Sequence, residues 1–159
     1  MVIREVYYDV ASTTSGSESS NEWIELYNGS TTAINLQGWF VGDASSTDMI
    51  VNSVVVQPGS RALVVASTTP TGVPGGVQTI VLFSSIGLNG FTNDGDGARL
   101  LDAASTTVDS VGYGTNATVP PNVSIPGSHD GHSIMRTQLT SDTDTAADWS
   151  DTASPTPGS

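Results

Sequence analysis

The 159 residues contain no cysteine, no lysine and no long apolar run. Each absence closes off some chemistry. Without cysteine there is no disulfide, no thiol nucleophile and no cysteine-type structural zinc. Without lysine there is no phosphate-binding P-loop and no Lys–Asn isopeptide crosslink. No stretch approaches the roughly 18 apolar residues of a membrane-spanning helix, so membrane insertion is not expected. Cations are scarce altogether: Arg4, Arg61, Arg99 and Arg136 stand against 16 acids, for a formal net charge of −12. A surface of that sign repels phosphate backbones, so nucleic acid is not expected as a partner. No signal peptide is evident either, because Met1 runs almost directly into a strand-like segment. If the protein is exported, the chain is expected to be a mature domain or an excised piece.

What is abundant is Ser and Thr, 22 and 20 residues, together with 17 Gly, while only 13% of residues are charged. That composition suits short strands joined by turns. The length fits one domain, residues 1–159, with one core. Apolar alternation recurs about every ten residues and predicts strands over 2–8, 22–27, 33–41, 49–56, 60–66, 77–83, 97–102, 106–113 and 132–136. Turn chemistry separates them, as at Pro58-Gly59, Pro74-Gly75-Gly76 and Asn93-Asp94-Gly95. Residues 142–149 predict one helical turn at most. Many short, evenly spaced strands mean an all-β antiparallel sandwich or barrel. The recurring Ala-Ser-Thr-Thr phrase, and its variant at Ala44, falls at intervals of 33, 22 and 38 residues, so it is not a structural repeat.

Glu22 and Glu25 flank Trp23 in "NEWIELYNGS" and invite reading as a catalytic pair. Strand alternation forbids it. Glu22, Ile24 and Leu26 share one face of the strand, while Trp23, Glu25 and Tyr27 share the other. Carboxylates on opposite faces cannot flank one glycosidic bond. Glu25 is expected instead to pair with an arginine of a neighbouring strand, with Arg4 the named candidate.

The ordered set "EVYYD", "NEWIELYN", "NLQGWFVGD", "VQPGSRALVVA", "ARLLDAASTTVDSVGYG", "GHSIMR" and "TDTAADWSDTASPTPG" resembles the lamin tail domain family, and its bacterial members most closely. The resemblance runs through nearly the whole chain. It implies an immunoglobulin-like antiparallel β-sandwich of about nine strands. It also implies that Trp39, Leu36 and the Trp23 strand, with Ile24 and Leu26, are core architecture. Bacterial relatives are modules of exported or surface proteins, sometimes beside hydrolase domains, and the module is not known as an enzyme. Two stretches, "STTPTGVPGG" and "FSSIGLNGFTNDGDG", are longer connections than that fold requires, and long loops on a rigid sandwich are where binding tends to occur.

Several residues are candidates for chemistry. His129 and His132 have H-x-x-H spacing suited to a transition metal, but a loop with Gly131 at its tip explains them equally. No G-x-S-x-G elbow accompanies either histidine. Asn93, Asp94 and Asp96 offer clustered oxygen ligands of the kind calcium takes on a flexible turn. The EF-hand spacing is absent, and Asp-Gly steps are also ordinary hairpin turns. Asp142, Asp144 and Asp148 form a second acidic set, which could equally cap a short helical turn. Asn28, Asn116 and Asn122 open N-x-S/T sequons in predicted turns.

No cofactor is required by this reading, and calcium is the ion it allows. Three functions stand side by side. The first is a non-catalytic interaction or adhesion module of a secreted or cell-surface protein, with a protein or surface glycan as partner. The second is a structural subunit self-assembling into a surface layer or filament. The third is a calcium-dependent carbohydrate-binding module. The expected location is extracellular or at the cell surface.

Overall fold

The computed structural model describes residues 1–116, 118–139 and 141–159. Thirteen short strands are present among the described residues, more than the nine expected. They are β1 (Val2–Tyr7), β2 (Trp23–Tyr27), β3 (Ile34–Asn35), β4 (Phe40–Gly42), β5 (Thr47–Met49), β6 (Val55–Val56), β7 (Arg61–Val65), β8 (Thr79–Val81), β9 (Gly97–Leu101), β10 (Thr107–Tyr113), β11 (Asn122–Val123), β12 (Ser133–Arg136) and β13 (Trp149–Thr152). A six-stranded sheet in the order β13-β12-β1-β2-β7-β8 packs on a five-stranded sheet in the order β11-β10-β9-β4-β5, and β3 pairs with β6 alone. The arrangement is an immunoglobulin-like sandwich.

Part of the larger count comes from breaks within expected strands. The segment expected as one strand over 33–41 is two, because Gly38 turns the chain at φ +81° while Trp39 N–H donates to the Leu36 carbonyl. Residues 49–56 likewise divide between β5 and β6. Neither β11 nor β13 was expected. Trp149, which begins β13, packs into the core. The helical turn expected in 142–149 is a 3-10 turn at Ala146–Asp148.

Pairing is antiparallel except at two edges, where β8 runs parallel to β7 and β11 parallel to β10. A parallel neighbour needs a crossover of a dozen or so residues. This accounts for the length of the connection between β7 and β8, which includes "STTPTGVPGG". Val73 and Val77 of that connection cover Trp23, Leu63 and Val65 on the outer face of the six-stranded sheet. Trp23 is therefore buried on the outside of the sandwich, not between its layers.

The inter-sheet core is built from residues such as Ile3, Val6, Ile24, Leu26, Leu36, Val41, Leu100, Val111 and Ile134, all fully buried. Trp39 differs from expectation, since it is only partly buried and packs against the rim of this core. The turn at Gly38 carries it to the edge of the sheet. A bulge in β1 between Ile3 and Glu5 keeps Ile3 and Val6 pointing inward and turns Glu5 outward.

One ion pair ties the two sheets together. Asp109 of β10 and Arg136 of β12 are 6% and 2% exposed. Arg136 Nη2 donates to both Asp109 oxygens, at 2.9 and 2.8 Å, and its Nε donates to the Ile3 carbonyl at 2.8 Å. Asp109 Oδ2 also accepts the Ile3 N–H, and the guanidinium lies 4.5 Å from the Trp149 ring centroid.

Candidate functional site

The two sheets leave one side of the sandwich open, where edge strand β5 approaches edge strand β8. A groove of about 250 Å³ lies there between residues 49–54 and residues 79–83. Its floor is Ile50 and Ile80, which belong to the core, while Met49 and Val51 stand 52% and 60% exposed at its rim. Phe83 follows β8 and is 74% exposed. Its backbone sits at φ +63°, a region that costs a non-glycine residue about 1–3 kcal/mol. The groove residues carry no charge, although the chain has 16 acids.

The connection after Phe83 closes one end of the sandwich. Ile86 and Phe91 enter the core from it. Acids fix its backbone: the buried Glu22 carboxylate accepts the Phe91 N–H at 3.1 Å, and the partly buried Asp48 accepts the Gly87 N–H at 2.8 Å. Glu22 is 1% exposed, and burial, reinforced by Glu18, Asp96 and Asp43, pushes it up to about 8. Leu88, at φ +86°, is left 80% exposed at the tip. The connection is thus fixed at its base while its apolar tip faces solvent.

The first acidic set does not converge. Asp96 is buried and its lone pairs go to backbone, accepting the N–H groups of Ala44, Thr92 and Gly97. Asn93 points elsewhere, its Nδ2 bridging Asp9 Oδ1 at 2.9 Å and Glu18 Oε1 at 2.8 Å. The Asp94 side chain is 88% exposed, with His129 Nε2 3.5 Å away. The second set is also divided. Asp142 pairs with Arg136 Nη1 at 3.0 Å, Asp144 stands exposed at φ +54°, and Asp148 accepts the N–H groups of Thr143 and Thr145. Those bonds hold Asp148 below its ordinary range and make it a cap for the 3-10 turn.

The histidines part company in the same way. His129 Nδ1 bonds Asp9, while His132 Nδ1 bonds Asp151 at 2.6 Å. Asp9 and His129 together have the form of a base and its orienting carboxylate, but the free ring nitrogen faces Asp94 and not a hydroxyl. Among the described residues no three His, Asp or Glu side chains form a metal set.

Glu25 is fully buried, and its charge partner is Arg61 at 3.3 Å; Arg4 instead donates to the Arg136 carbonyl. The arginine that pairs with Glu25 thus comes from β7, the neighbour on the other side of β2, and not from β1. Asn28 is also fully buried, its amide donating to the Thr32 and Val56 carbonyls. A glycan on Asn28 would need the turn to unfold. Asn116 braces its own turn by accepting the Val119 N–H, and its sequon includes Ala117, which lies outside the described residues. Asn122 is exposed at the start of β11, its amide donating to the Gly114 carbonyl.

Sequence reasoning did not anticipate the groove, because Met49, Val51 and Phe83 read as ordinary strand residues. The Asp109–Arg136 pair did carry a signal: an arginine closing the apolar run Ile134-Met135 in so acidic a chain needs a buried partner.

No helix among the described residues is long and apolar enough to cross a membrane. No curated protein matches the chain. The Lamin Tail Domain family profile matches residues 1–115. The matched part runs from β1 through β10, and β12, which lies outside it, completes the six-stranded sheet by pairing with β1. With the sandwich and nearly three quarters of the sequence in agreement, the chain belongs to the lamin tail domain family, an immunoglobulin-like protein-interaction fold.

Proposed function

We propose that this chain is a non-catalytic adhesion module of a secreted or cell-surface protein, engaging a protein partner through the open side of the sandwich. The observation that carries the reading is the apolar rim of Met49, Val51 and Phe83 around the β5–β8 groove. Exposed apolar residues gathered at one uncharged groove are the usual mark of a contact surface. Phe83 supports it further, since a strained backbone that holds an aromatic ring in water has no benefit to the isolated fold. The groove is small for a typical ligand cavity and suits one or two partner side chains.

The self-assembling subunit is the weaker reading, because a net charge of −12 sets copies against one another. Sugar binding is weaker too, as Trp23 and Tyr113 are buried and cannot stack on a glycan. The test is adhesion of protein-coated beads to cells of the source organism. Wild-type beads are expected to adhere, and beads coated with a folded Val51→Asp/Phe83→Asp double variant are not. Equal adhesion of the two would remove the groove from the function.

A further inference from the structure

Among the described residues the two sheets have four edges, β13 and β8 in the six-stranded sheet and β11 and β5 in the five-stranded one. An unpaired edge is a template for another strand, and natural sheets blunt their edges with charge or proline. Three of the four are blunted in this way. β13 carries Asp151, β5 carries Asp48, and β11 is bracketed by Pro120-Pro121 and Pro126. β8 is not: residues 77–83 read Val-Gln-Thr-Ile-Val-Leu-Phe, without a charge or a proline.

The pairing with β7 shows which backbone groups of β8 are left over. The Leu63 N–H donates to the Gln78 carbonyl at 2.9 Å, and the Leu82 N–H donates to the Val65 carbonyl at 2.9 Å. Gln78 and Leu82 thus face β7. With Leu63 in register with Thr79 and Val65 with Val81, Ile80 between them faces β7 as well. Thr79 and Val81 alternate with these residues, so their N–H and C=O groups point away from β7, toward the groove. Among the described residues no backbone hydrogen bond uses them. Gln78 closes one end of the groove, where its Nε2 donates to the Val55 carbonyl at 3.1 Å. An added strand would therefore lie along residues 79–83.

We propose that β8 accepts an extended basic segment of another protein as a seventh strand of the six-stranded sheet, a reading that rests on the contact role of the groove. The main-chain groups of Thr79 and Val81 supply the ladder, and alternate side chains of the segment supply specificity. Every second side chain of the added strand points between the sheets, over Ile50 and Ile80, and is therefore apolar. The groove of about 250 Å³ takes one or two of them. The others point outward, where the field of the domain selects their sign. Each of the four arginines is engaged by an oxygen of this chain: Arg4 by the Arg136 carbonyl, Arg61 by Glu25, Arg99 by the Asp43 carbonyl and Arg136 by Asp109. The net charge of −12 therefore attracts Arg and Lys on the incoming segment and disfavours a second copy of this chain.

The probe is the peptide Val-Arg-Val-Arg-Val-Arg-Val, added to the ¹⁵N-labelled full chain. Amide exchange at Thr79 and Val81 is expected to slow about tenfold or more with the peptide bound, and exchange at Ile80 to change less. Thr79→Pro and Val81→Pro each delete an N–H that bonds nothing, so Tm should hold within about 3 °C while peptide affinity falls about tenfold or more. Thr79 is exposed, so Thr79→Pro decides the matter if Val81→Pro does not fold. The variants keep the charge of the wild type, which separates strand pairing from general attraction. Equal affinity of wild type and a folded proline variant, unchanged exchange at Thr79 and Val81, or no binding of the peptide would each overturn the added strand. Association of wild-type chains that Thr79→Pro abolishes would put a second copy at the edge and overturn the foreign partner. In the bead assay, adhesion lost in Val51→Asp/Phe83→Asp but kept in Thr79→Pro would overturn strand addition and leave the adhesion reading standing. Wild-type beads that fail to adhere, with the peptide still bound through Thr79 and Val81, would remove the adhesion reading and support the strand site.

Discussion

Replacing Asp109 by alanine should be among the most damaging single changes in this protein. The substitution deletes both acceptors of Arg136 Nη2 and the acceptor of the Ile3 N–H. Arg136 is only 2% exposed, so water cannot replace what is lost. The remaining partners are the Ile3 carbonyl, the Trp149 ring and the partly exposed Asp142 carboxylate, so Arg136 keeps one counter-charge at the edge and loses the one in the core. A buried charge stripped of its partner costs about 3–5 kcal/mol. Out of a total stability of about 5–15 kcal/mol that is a large share, and it corresponds to a drop in Tm on the order of 10 °C. Urea melts followed by tryptophan fluorescence measure it, since Trp149 reports directly on the pair. Asp109→Leu combined with Arg136→Met removes both charges and should recover most of the loss. A cost below about 1 kcal/mol for Asp109→Ala would refute the claim that this pair ties the sheets together.

Three further outcomes follow from the same contacts. The folded protein holds Glu22 at about 8 against an ordinary 4.5, so its stabilising contribution is complete below 4.5 and is lost as pH rises through 8. Stability should fall by on the order of 2 kcal/mol between pH 5 and pH 8.5, and Glu22→Gln should flatten that decline in pH-dependent urea melts. Trp23→Ala should cost about 3–5 kcal/mol in the same melts, and Trp39→Ala, which truncates a half-buried ring, about 2 kcal/mol. Asp96→Ala leaves three backbone donors unserved and should cost about 2–3 kcal/mol with or without calcium, whereas exposed Asp94→Ala should change Tm by under about 2 °C. A calcium-induced rise in Tm that disappears in Asp94→Ala would return that loop to the list of cation sites.

Alternation separated Ile24 and Leu26 from Glu25 onto opposite faces, because β2 is regular and every residue counts as one step. The same logic does not carry through β1, where one bulged residue reverses the phase, and the arginine that pairs with Glu25 is Arg61 and not Arg4. The bend at Gly38 moves Trp39 out to the rim, a tertiary consequence that alternation cannot carry. The acidic loops misled for a related reason. Asp96 and Asp148 are spaced like ligands, yet each accepts backbone N–H groups, and spacing does not distinguish an oxygen turned toward the loop from one turned outward. Asn28 carries a sequon and sits in a turn, but β6 lies over it and takes its amide. The β5–β8 groove depends on which strands end up at sheet edges. That information resides in the parallel crossover to β8, of which the sequence shows the length of the connection and not the direction of the strand it leads to.

The contact role of the open side is tested most directly by photo-crosslinking on the surface of the source organism. A photoreactive phenylalanine analogue is placed at position 83 and, as a control, at Val108, which is 37% exposed outside the groove. Adducts with a different protein should form from position 83, fail to form from position 108, and disappear when Val51→Asp is added. Equal labelling from both positions, or adducts only between copies of this chain, would contradict an adhesion module that works through the groove.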